Sequence, residues 1–116
     1  MKLTETEAKF ADIIWEHAPI KSTELVKLCE GMLGWKKSTT YTVLRKLCEF
    51  GIFENVDAVV QVCISKEEFY GRQGRLLVKQ AFSGSLPRFL TAFIGQEKMT
   101  DEEVEEIKAL IESYRE

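Results

Sequence analysis

Along its 116 residues the apolar pattern departs from helical spacing in one segment, and that departure constrains the fold more than any other feature. Residues 52–64 read Ile52-Phe53-Glu54-Asn55-Val56, then Asp57-Ala58, then Val59-Val60-Gln61-Val62-Cys63-Ile64. Two β-rich runs flanking a two-residue turn predict a short antiparallel hairpin. Everything upstream keeps helical spacing instead. Thr4-Glu5-Thr6-Glu7 is a capping box, in which Thr4 caps the helix and Glu7 reaches back. Phe10, Ala11, Ile14, Trp15 and Ala18 then form an inward face, and Ala18-Pro19 stops it. Ser22 is expected to cap a second helix, with Leu25, Val26, Leu28 and Cys29 inward, ended by Gly31 and Gly34. A third helix is predicted from about Lys37-Ser38 to Phe50, closed by Gly51. Three helices followed by a hairpin, with only a brief turn between the second and third helices, is the order of a winged helix-turn-helix.

Downstream the pattern is helical again. Ser65-Lys66-Glu67-Glu68 is a second capping box, opening a helix to about Ala81 that Gly71 and Gly74 weaken. After the break at Ser83-Gly84-Ser85, Pro87 suits the first turn of a further helix. Thr100-Asp101-Glu102-Glu103 opens the last, with its acids set against the helix dipole. Val104, Ile107, Ile111 and Tyr114 repeat at three- and four-residue gaps, Leu110 widens the stripe, and Leu86, Phe89, Leu90, Phe93 and Ile94 precede it. So much apolar surface appended to an already complete small domain predicts a second copy as its cover. The alternative is that both stripes pack on the chain's own winged helix. The expected fold class is mainly α with a small β-hairpin: a winged helix-turn-helix over residues 1–65 and a C-terminal helical dimerisation region over 66–116.

The formal net charge of −3 argues against nucleic acid only until its distribution is considered. Residues 20–50 carry six bases and three acids, residues 66–90 five bases and two acids, and residues 97–116 eight acids and three bases. The negative charge therefore sits in the tail, leaving a basic segment free to meet DNA. No run approaches the roughly 20 apolar residues of a membrane span. The N-terminus lacks the apolar core of a secretion signal, so a cytoplasmic protein is expected. Cys29, Cys48 and Cys63 are widely spaced, form no CxxC pair and lie in apolar patterns; buried small hydrophobes are expected, not a metal site. No cofactor is expected.

In the third helix, Thr40, Val43, Leu44 and Leu47 share one face and predict the core side. The other faces carry Ser38, Thr39, Tyr41, Thr42, Arg45 and Lys46, with Lys36 and Lys37 at the entry. Cations satisfy phosphates and guanine edges, and hydroxyls bond either, so these eight residues are the candidate DNA-binding set. A solvated surface would have the same composition; the position after two helices and before a hairpin favours a recognition helix. Tyr41 could pack beneath the helix or stack on the DNA backbone. Enzymatic chemistry has little to work with: His17 is the only histidine, and neither a phosphate-binding loop nor a nucleophile elbow is present.

Thr6-Glu7-Ala8 running to Ile14-Trp15, then Thr23-Glu24-Leu25-Val26, then residues 35–47 from Trp35 to Leu47, closed by Gly51-Ile52, resemble the penicillinase-repressor (BlaI/MecI/CopY) family. The resemblance spans nearly the whole chain and is most specific from Trp35 to Gly51. It implies a homodimeric repressor whose winged helix grips a palindromic double-stranded DNA operator and whose C-terminal helices dimerise, with Thr39, Thr42 and Arg45 facing the groove. Family members answering to an upstream sensor protein are cut at an Asn-Phe bond; the matching pair here is Ala92-Phe93, without the Asn. Copper-responsive members carry a C-terminal cysteine motif, and no cysteine follows Cys63. The wing tip, residues 55–59, has no Lys or Arg and should add little electrostatic grip. The competing reading is a winged-helix protein-interaction module that has lost DNA binding; a ligand- or metal-sensing regulator is a third, compatible with the first.

Overall fold

The computed structural model describes residues 2–115. It is mainly helical with one small sheet, in the order α1 (Glu5–His17), β1 (Ile20–Lys21), α2 (Ser22–Leu33), α3 (Lys37–Glu49), β2 (Phe53–Val56), β3 (Val59–Val62), α4 (Lys66–Ala81), α5 (Leu86–Gln96) and α6 (Asp101–Ser113). No helix among the described residues is long and apolar enough to cross a membrane. The chain divides into two compact units, residues 1–74 and 75–116.

In the first unit, helix ends follow local chemistry. Thr4 caps α1 with both reciprocal bonds of the capping box in place, and Gly34 ends α2 at φ +67°, a backbone state that costs glycine nothing. The hairpin turns through Asp57 and Ala58 at φ +51° and +61°, the primed turn that matches the twist of antiparallel strands. β3 pairs with β2 from Phe53 opposite Val62 to Val56 opposite Val59.

The hairpin has a third partner that periodicity did not reveal. β1 pairs antiparallel with β3, Ile20 opposite Val60 and Lys21 opposite Val59, giving the order β1-β3-β2. Two residues are too short to register as an alternating pattern. This pairing also corrects the expected role of Ser22. Because Lys21 is held extended in the sheet, Lys21 is the residue that precedes α2, and it makes no side-chain cap bond. Ser22 is instead buried as the first helical residue, with its N–H donating to Ala58 O at 2.8 Å. Lys36 precedes α3, again with no side-chain cap bond.

The core gathers residues from α1 to α4 and the sheet: Phe10 and Ile14 of α1, Leu25 and Cys29 of α2, Leu44 and Leu47 of α3, Phe53 and Val60 of the sheet, and Phe69 of α4. Trp35 tilts against Phe10 at 5.2 Å between ring centroids. Trp15 meets Phe53 edge-on at 5.5 Å while its Nε1 donates to Ile64 O at 3.0 Å, so both tryptophans anchor the core. The cysteines divide. Cys29 is buried, Cys48 is half-buried, and Cys63 is exposed at the end of β3, where the strand has passed the edge of the core.

The second unit contains the end of α4 together with α5 and α6. Ser85 caps α5, with Pro87 in the first turn, and Thr100 caps α6 with a complete capping box. Phe82, Phe89 and Phe93 form an aromatic ladder, with centroids 5.5 and 5.9 Å apart. No residue of α5 or α6 is buried.

Candidate nucleic-acid interface

Helix α3 is amphipathic, and its two sides differ sharply in chemistry. Thr40, Leu44 and Leu47 point inward, with Tyr41, Val43 and Cys48 packed at the core's margin. Ser38, Thr39, Thr42, Arg45, Lys46 and Glu49 are exposed, as are Lys36 and Lys37 at the N-terminal end. Helical geometry explains the split: about 100° separates successive residues, so positions 38, 42, 45 and 49 return to the side opposite Leu44.

Seven of the eight expected site residues are thus exposed together around one helix. Tyr41 is the exception: it is half-buried, and its hydroxyl donates to Ser22 Oγ at 3.2 Å, tying α3 to the start of α2. This is the packed alternative for Tyr41, in which the ring braces the helix from below.

The exposed groups differ in how free they are. Thr42 Oγ1 donates to Ser38 O at 2.8 Å, so the proton is spent within the helix while the oxygen lone pairs and the methyl group remain outward. Arg45, Lys36 and Lys37 form no ion pair among the described residues. Lys46 does: its Nζ bonds Glu7 Oε2 on α1, and it also lies 6.0 Å from the Phe50 ring centroid. The Lys46 ammonium holds the Glu7 carboxyl below the usual carboxylate range, helped by the Thr4 backbone N–H.

The pairing of Glu7 with Lys46 is the contact that pattern reading missed. As the last position of a T-x-x-E box Glu7 had a sufficient local explanation, and nothing in the sequence marks its second oxygen as facing α3. The wing is visible as expected: Glu54, Asn55, Val56, Asp57 and Ala58 are all exposed and include two acids and no base.

No three His, Cys, Asp or Glu side chains gather to hold a metal ion among the described residues. Burial pushes the thiols of Cys29 and Cys48 up, which keeps them protonated and unreactive.

The penicillinase repressor family profile matches residues 3–113. The penicillinase repressor of Bacillus licheniformis is 20% identical over 118 aligned positions, covering 98% of this chain and 92% of that protein. With the match running from the first turn before α1 to the end of α6, this chain belongs to the penicillinase-repressor family.

Proposed function

We propose that the protein is a transcriptional repressor that binds a palindromic DNA operator as a homodimer, with α3 in the major groove. One observation carries the reading: the outer side of α3 offers Ser38, Thr39, Thr42 and an unpaired Arg45 to solvent, with Lys36 and Lys37 at its entry. Arg45 can donate two bonds to a guanine edge, the threonine methyls can pack on a thymine methyl, and the two lysines suit phosphate. Family membership supports regulation of transcription over catalysis.

Dimerisation is the second element of the proposal. Leu86, Phe93, Ile94, Leu110, Ile111 and Tyr114 are exposed large apolar groups, while Phe89, Leu90, Val104 and Ile107 are half-buried beside them. A second copy covering this surface gains about 1.5–3 kcal/mol for each such side chain fully buried. Two copies present two recognition helices, and a two-fold operator is the matching target, with half-sites one helical turn apart or a multiple of it.

The acidic, base-free wing favours one specific alternative, a protein-interaction module without DNA binding. A single experiment separates the two. Wild-type protein is used to enrich duplexes from a random-sequence library, and binding to the enriched duplex is followed by fluorescence anisotropy. The repressor reading expects an inverted repeat, with affinity falling steeply as salt rises. Arg45→Ala should weaken binding by about 1–3 kcal/mol, roughly 5- to 150-fold, without altering the dimer. Failure to enrich any duplex would favour the interaction module.

A further inference from the structure

Arg45 and Lys46 are adjacent cations, and a helix turns them about 100° apart, so they cannot meet DNA in the same way. Arg45 is free at the outer side. Lys46 is turned toward α1, where its Nζ bonds Glu7 Oε2. The two partners are unequal: the Lys46 side chain is 49% exposed, but the Glu7 side chain only 11%. The carboxylate is also fixed from its other side. Glu7 Oε1 accepts the Thr4 backbone N–H at 3.0 Å, and the Glu7 N–H donates to Thr4 Oγ1 at 3.1 Å. Glu7 thus cannot follow Lys46 out to solvent, and moving Lys46 onto a phosphate would leave a largely buried carboxylate without its cation, an arrangement proteins strongly disfavour.

We infer that Glu7 is a positioning residue of the DNA-binding face: through Lys46 it anchors α3 to the capped first turn of α1, and it removes Lys46 from the cations that contact phosphate. The inference rests on the DNA-binding reading above and narrows it. Phosphate contacts fall to Lys36 and Lys37, while Lys46 sets the angle at which they and Arg45 are presented. The capping box at α1 is therefore part of the recognition apparatus although none of its residues need touch DNA.

The test uses the full-length dimer and the library-enriched duplex, with Kd measured from about 50 to 200 mM salt, where each lost phosphate contact flattens the log–log slope by about 0.9. Lys37→Gln supplies the reference for a true phosphate contact and should flatten the slope by that amount. Lys46→Gln should weaken binding several-fold with an unchanged slope, and Lys46→Arg should restore it. Glu7→Gln keeps an acceptor for the Thr4 N–H and so preserves the helix cap. It should weaken binding to the same degree, and the Glu7→Gln, Lys46→Gln double variant should be no worse than either single, because one bond is lost in each case. Circular dichroism at the assay temperature verifies that each variant is folded. The inference is overturned if Lys46→Gln flattens the slope as Lys37→Gln does, or if Glu7→Gln tightens binding by releasing Lys46 onto the DNA. If the wild type enriches no duplex at all, the DNA-binding reading itself falls and takes this inference with it.

Discussion

At the scale of single residues, the Glu7 pair links stability to pH. The folded-state pKa of Glu7 lies below the ordinary value of 4.5, so its stabilising effect is fully present above that value and is lost as pH falls through the folded pKa. Urea unfolding of wild type and Glu7→Gln should show a gap in stability that is constant near neutrality and closes below about pH 4.5; a gap that widens on acidification would contradict the assignment. Ala58 is a second residue whose cost can be read from its backbone. It occupies φ +61°, a left-handed state in which its Cβ crowds the following carbonyl at about 1–2 kcal/mol. Ala58→Gly relieves that crowding and should raise stability by about 1 kcal/mol in the same measurement.

Among the elements, α3 and α4 make different use of their sequences. The positions of α3 divide three ways: its inner side packs the core, its margin is tied to α2 by the Tyr41–Ser22 bond and to α1 by Lys46, and its outer side is open to solvent. By contrast α4 carries Gly71 and Gly74 in mid-helix, where a Cβ would meet nothing within 4 Å at either position. No packing requirement in the chain explains them, and each costs about 0.5–1 kcal/mol of helix stability relative to alanine. The double variant Gly71→Ala, Gly74→Ala should therefore be more stable than wild type by about 1–2 kcal/mol, read from the unfolding midpoint; destabilisation would mean that a partner approaches this face closely. The hairpin between α3 and α4 was legible from its two β-rich runs, and its turn from the two residues between them. β1 was not, since two residues carry no period, and only the pairing with β3 defines it as a strand.

For the molecule as a whole, the division of burial matters most. Buried large apolar residues belong to the first unit, and α5 and α6 bury none in the single chain. Under the homodimer proposal that surface is an interface. Phe93→Asp with Ile111→Asp changes two residues that are 50% and 56% exposed, so neither substitution introduces a charge into the single chain's core. Light scattering should then report half the wild-type mass, and operator affinity should drop because one recognition helix no longer brings the other with it. A variant that keeps the wild-type mass would move the interface to other residues.

The local features were determined by the sequence itself: three helices before a hairpin, the capping boxes at Thr4 and Thr100, the glycine stop at Gly34, and an α3 with a core side and a hydroxyl-and-cation side. These rest on interactions within a few residues, which spacing and residue type encode directly. Tertiary structure alone decided that Ser22 is buried rather than capping, that Tyr41 braces α3 from below, and that Lys46 belongs to Glu7. Each depends on groups 19 to 39 residues apart, and which distant group a side chain meets is fixed only when the elements pack.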